Sequence, residues 1–119
     1  MEVKILCMGE NRNYYELDVT SGRIKENIHE LLTNKDNPLY ILKKDNKSLP
    51  FSIFENYGGS MPLKKVSSTT PDAIYKLFLE AKEKAEKHQA DYVLVQEFKQ
   101  EESHFSSVVT GLVQLLVEK

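Results

Sequence analysis

The stretch TTPDAIYKLFLEAKEKAEKH, residues 69–88, constrains the fold more than any other. Thr70 is a natural helix cap, and Pro71 suits the first helical position, where its missing N–H costs nothing. Asp72 complements the positive helix end, and Lys84 and Lys87 the negative one. Ile74, Leu77, Phe78, Ala81, Ala85 and His88 then recur at helical spacing, opposite a face carrying Lys76, Glu80, Lys82, Glu83, Glu86 and Lys87. This pattern predicts an amphipathic helix from Pro71 to His88 that must lay its apolar stripe on another layer.

The flanking segments supply that layer. EVKILCMG alternates Val3, Ile5 and Cys7 with Lys4 and Leu6, and YYELDV places Tyr15, Leu17 and Val19 on one side, so both read as strands. Gly9 to Asn13 then forms a hairpin connection. In TSGRIKENIHELLTNKDNP, Thr20 or Ser21 caps a short helix with a stripe of Ile24, Ile28, Leu31 and Leu32, ended by Asn34 to Pro38. LYILKK reads as a third strand and ADYVLVQEF as a buried one, followed by a polar KQEESH turn. FSSVVTGLVQLLVEK fits a strand or an amphipathic helix. The strand is favoured, because Val108, Val109, Thr110, Val113 and Val117 are poor helix formers and a mid-helix Gly111 costs about 1 kcal/mol.

The middle, DNKSLPFSIFENYGGSMPLKKVSS, is broken by Pro50, Pro62 and the Gly58–Gly59 pair. FSIF and PLKKV are candidate short strands within it. At 119 residues the chain has the size of one domain, burying roughly two thirds of the surface an unfolded chain exposes. The expected architecture is therefore a single α+β domain over 1–119, with two helices on one face of a mainly antiparallel sheet of about five strands. The alternative is an α/β layout in which the second helix crosses over between parallel strands.

Several function classes lose their support at this level. Sixteen basic against eighteen acidic residues leave a net charge of −2, so no global field draws in nucleic acid or anionic membrane. No apolar run reaches the ~20 residues of a membrane span, and the start has neither the basic region nor the longer apolar run of a signal peptide, which points to a cytoplasmic protein. The single Cys7 suits a reducing compartment and belongs to no nucleophile signature with His29, His88 or His104. The histidines lie on separate elements without metal-ligand spacing, so no metal or cofactor is expected; only Glu101, Glu102, Ser103 and His104 could share a cation. His88 more naturally caps carbonyls. Glu16 and Asp18 alternate along one strand face as solubilising carboxylates.

GGSMP lacks the glycine spacing and following helix of a phosphate cradle, so it reads as a turn. The one basic cluster, Lys43, Lys44 and Lys47 with Lys64 and Lys65, is interleaved with Tyr40, Phe51 and Phe54. It lacks the aromatic and GXXG motifs of RNA-binding modules, so it is weighed instead as a small-ligand or nucleotide groove using Lys43, Lys44, Tyr57, Lys64 and Lys65.

The final third, AIYKLFLEAKEKAEKHQADYVLVQEFKQEESHFSSVVTGLVQLLVEK, has a charged helix ending in Ala90-Asp91, a buried strand, a polar turn and a last strand. In this it resembles a family of small bacterial heavy-metal-binding proteins that assemble into symmetric oligomers. The likeness covers about the last 50 residues. Gln89 stands where that family has a glycine before Ala-Asp, and the first 60 residues do not match, so no functional residue is carried over. The resemblance implies a helix–strand–strand ending and self-association. The leading expectation is thus a non-enzymatic interaction or self-assembling domain, whose partner is itself or another protein. Its interface would include Val109, Leu112 and Leu115, because Val108, Val109, Leu112, Leu115 and Leu116 exceed what one sheet face needs. The alternative is the ligand groove near residues 43–65.

Overall fold

The computed structural model describes residues 2–33, 38–102 and 107–119. Its elements run β1 (Lys4–Met8), β2 (Asn13–Leu17), α1 (Ser21–Glu26), α2 (Ile28–Thr33), β3 (Lys43–Pro50), β4 (Phe54–Asn56), β5 (Met61–Pro62), β6 (Val66–Ser68), α3 (Thr70–Lys87), β7 (Tyr92–Glu102) and β8 (Ser107–Glu118). The class is α+β. The sheet is larger than expected and mixed: its eight strands lie in the order β3-β2-β1-β7-β8-β4, with β5 and β6 also on β8, and the central β1–β7 pair is parallel. All other pairs are antiparallel.

The capped helix is present as α3, one residue out of register at its start. Thr69, not Thr70, is the N-cap, and its side chain makes no capping bond. The Thr70 hydroxyl bonds instead to Ser107 on β8, tying the helix start to the sheet. Asp72 accepts from Ser68 (2.6 Å) and from Lys76 (2.9 Å), and the Ser68 bond, then Lys76, holds its carboxyl below the usual range. Ile74, Leu77, Phe78, Ala81 and Ala85 are buried as the spacing requires, whereas His88, at the C-cap, is exposed and its ring lies near Tyr57. Burying Ile74, Leu77 and Phe78 contributes about 1.5–3 kcal/mol apiece.

The first helix is broken. Asn27 interrupts it, its side-chain amide donating to the Arg23 carbonyl (2.8 Å), and leaves two six-residue helices of which Ile24 and Leu31 are the buried members. Thr20 caps the first, as expected. LYILKK is not a strand up to Leu42. Residues Pro38–Leu42 form a 3-10 turn that buries Leu39 and Leu42, residues three apart on the same side of such a turn. The β1–β2 connection is a tight hairpin: Asn13 N–H donates to Glu10 O, with Asn11 and Arg12 both at positive φ (56° and 59°), the signature of a type I′ turn.

The irregular middle resolves into one interrupted edge strand. Phe54, Met61 and Val66 face Glu118, Val113 and Val109 in turn, so β4, β5 and β6 track the whole length of β8. Gly58, at φ 81°, turns the chain out of that edge between β4 and β5. FSIF is a strand only at Phe54, where β4 begins; Phe51–Ile53 form a 3-10 turn with a large consequence. It joins β3, at one edge, to β4, at the other. The step from Pro50 to Phe54 reaches roughly 14 Å at most, whereas the edges of a flat six-strand path stand roughly 24 Å apart. The sheet must coil until opposite corners meet.

That coiling creates two cores. On one face Val3, Ile5, Cys7, Val93, Val95, Val109, Val113 and Leu115 lie under the helices. On the other, Leu6, Tyr14, Phe54, Leu94 and Leu116 bury one another without a residue from any described α-helix, sealed by Leu49, Phe51 and Tyr92. Tyr14 stacks on Phe51 (4.2 Å), and Phe54 meets Tyr92 edge-on (4.9 Å). Val109 and Leu115, expected at an interface, are thus wholly buried within the single chain, and Leu112 is half-buried. The apolar excess of the last strand fills two internal cores. No described helix is long and apolar enough to cross a membrane.

Candidate functional site

A cleft of about 350 Å³ opens where the start of β1, the end of β2 and the middle of α3 meet. Its floor is apolar, built by Val3, Ile5, Leu17, Val19 and Phe78. Each comes from a local pattern already described: the inward residues of β1 and β2, and the stripe of α3. Tyr75 and Leu79, one helical turn apart on α3, form one wall, and Leu79 is 38% exposed.

The rim is charged. Glu16 on β2 accepts from Lys44 on β3 (2.9 Å) and pairs with Lys4 on β1 (3.6 Å), so one carboxylate stands between two ammonium groups from its neighbouring strands. Its hydrogen bond and charge hold the Lys44 ammonium above the usual lysine range. Lys82 adds a third cation from α3, and Glu2 and Asp18 two further carboxylates. Asp18 is engaged locally: it accepts from the N–H (3.1 Å) and hydroxyl (2.8 Å) of Thr20. Arg23 on α1 fixes the start of β3, donating to the carbonyls of Ile41 (3.1 Å) and Lys43 (3.4 Å). That brace holds Lys44 at the rim.

Of the five residues expected to form a ligand groove, only Lys44 lines the cleft. Lys43 lies over the rings of Tyr15 and Tyr40, 4.8 Å from each centroid, a cation–π arrangement. Tyr57, Lys64 and Lys65 stand beside β8 on the sheet edge opposite β3, so the sequence cluster is divided between two edges. Tyr57 is 46% exposed, and the Lys64 N–H is taken by Glu80 of α3 (2.9 Å). Phe51 and Phe54, read as stacking platforms, are absorbed in the second core. The residues that sequence reasoning missed are Lys4, Lys82 and the α3 wall; the i, i+4 pair Tyr75 and Leu79, left outside the apolar stripe, was their only sequence signal.

Chemically, the cleft offers fixed charge and apolar contact. Cys7 lies outside its lining, and burial pushes its thiol up to about 11, against the lowering effects of a Tyr15 backbone hydrogen bond and the Lys43 charge. Burial thus disfavours the thiolate, the form in which a cysteine attacks. His29 and His88 are exposed on different helices' faces and ends. Among the described residues no group of three or more His, Cys, Asp or Glu side chains is placed to hold a metal ion. The cation reading at Glu101–His104 falls partly outside the described residues. Comparison of the chain with protein-family models, with characterised proteins and with solved structures finds no match.

Proposed function

We propose that this chain is a small non-enzymatic binding domain whose ligand occupies the cleft between β1, β2 and α3. The observation that carries the reading is the apolar floor beneath the α3 wall, bordered by Lys82 of α3 and, along the strand ends, by the Lys4–Glu16–Lys44 ion network. The cleft's volume lies at the lower end of small-molecule sites. A ligand matched to it has an apolar body of modest size and one anionic group, a carboxylate or phosphate ester. The anion would draw Lys44 partly away from Glu16, while the body covers Phe78 and Leu79.

A thermal-shift panel of medium-chain carboxylates, aromatic acids, phosphate esters and nucleotides tests this. A ligand at a hundred times its dissociation constant stabilises by about 2.7 kcal/mol. The expected result is a saturable shift for at least one amphiphilic anion, lost in Lys44→Glu and weakened in Leu79→Ala, both at exposed positions. A flat response across the panel would remove the basis of the proposal.

A further inference from the structure

β7 outruns its parallel neighbour. β1 pairs with it from Tyr92 to Val95 and stops, whereas β8 pairs with it up to Glu102. A register shift at Gln96 marks the departure, and beyond it the ladder from Glu97–Leu112 to Glu102–Ser107 is regular. Among the described residues nothing pairs with the other side of β7 from Glu97 to Glu102. The other two edges are blunted. β3 carries a register break opposite Tyr15 to Leu17 with three lysines on the strand, and the β4–β6 edge is cut by Gly58, Gly59 and Pro62. The outer half of β7 is the straight, proline-free edge that remains, the kind on which strands add.

Its side chains say which strand fits. Glu97, Lys99 and Glu101 alternate in sign along one face and are all exposed. In an antiparallel pairing of two such strands, the register decides whether charges oppose or complement. Centred on Lys99, it sets lysine against lysine and Glu97 against Glu101, a destabilising arrangement. Centred on Phe98, it pairs Glu97 with Lys99 but takes in Gln96, where the β7–β8 register shifts directly beside the last β1 pair, Cys7–Val95. Centred on Gln100, it sets each Lys99 against Glu101 of the second copy and stays within residues 98–102. We infer that this chain forms a two-fold dimer by antiparallel addition of β7 to β7 about Gln100, with two reciprocal Lys99–Glu101 pairs.

The dimer lies at the end of the sheet away from the cleft, since β7 runs parallel to β1 and the cleft holds the β1 start. It is therefore independent of ligand binding. A five-residue strand pair makes a small interface, so dissociation at micromolar concentrations and dimer at millimolar ones are expected.

Sedimentation equilibrium of the full chain, from micromolar to millimolar concentration, reads the association. Wild type is expected to approach a dimer. Lys99→Glu, which opposes carboxylates at both pairs, is expected to weaken it by about tenfold or more. The double exchange Lys99→Glu with Glu101→Lys restores opposite charges and is expected to restore the dimer. Circular dichroism of each variant confirms the fold, which exposed positions on this arm should tolerate. A wild-type monomer at millimolar concentration overturns the inference. So does association that Lys99→Glu leaves unchanged, or that the double exchange fails to rescue.

Discussion

Ala90 N–H donates to the carbonyl of Ala85 (2.8 Å), closing the end of α3 around Gln89, which lies at φ 60°. With Gln89 N–H on Glu86 O (3.1 Å), this is a complete Schellman closure. The left-handed position usually belongs to glycine, because a Cβ there costs about 1–2 kcal/mol. Gln89→Gly relieves that strain and adds some unfolded-state entropy, so a net gain of about 0.5–1 kcal/mol is expected. Urea denaturation checks it. Gln89→Val should lose stability, since branching at Cβ worsens the same clash.

The same position explains part of what was legible. Gln89 drew notice only as a departure from the glycine of the resembled family, yet the backbone conformation that glycine serves is present. Pro71–His88 was readable because proline, dipole charges and apolar period agree over one local stretch, although the cap falls at Thr69 and not at Thr70. Pro38–Leu42 was misread because Tyr40 and Ile41 favour strands, while the spacing of Leu39 and Leu42 and the turn after Pro38 decided otherwise. The coiled sheet and the cleft were not legible at all. Both depend on where Phe51–Ile53 carries the chain across, and on α3 meeting the end of β2, contacts that no local pattern encodes.

Leu6 points to the face of the second core, where an ordinary two-layer fold would tolerate polar residues. Here it is fully buried beneath Tyr14, Phe54 and Leu94. Leu6→Ala is expected to cost about 2–5 kcal/mol, as much as Ile5→Ala on the helix-covered face. Phe54→Ala should cost about 3–5 kcal/mol for the same reason. Chemical denaturation of the three variants compares the faces directly. A loss under about 1 kcal/mol for Leu6→Ala would mean the second core does not form.

Tyr92 donates its hydroxyl to Glu118 (2.6 Å) across the β7–β8 pair. That bond, then partial burial and the carboxylate charge, pushes its phenol up to about 12. Absorbance titration should therefore show a late step near 12 from Tyr92, with Tyr14 also raised, through burial. Glu118→Gln is expected to lower it toward 10, because the carboxylate acceptor that holds the protonated phenol, and with it the carboxylate charge, is removed. Tyr92→Phe should delete the late step without altering the rest of the curve.

Cys7 carries the pH dependence most open to test. Its thiol is 3% exposed and rises from 9.0 to about 11 on folding, chiefly through burial. A raised folded value means the contribution is complete below the unfolded pKa, near 9, and is lost as pH rises through about 11. The loss is on the order of 2 kcal/mol. Lysines and tyrosines titrate in the same range, so the comparison must be differential. Wild type should lose about that much more stability between pH 8 and pH 11 than Cys7→Ala does, both measured in urea. In the native state at neutral pH the thiolate is about 100-fold scarcer than in the unfolded chain, so alkylation should follow opening of the sheet and not the reagent's intrinsic rate. Labelling that is fast in the native state and insensitive to urea would place the thiol at the surface and remove this account of β1.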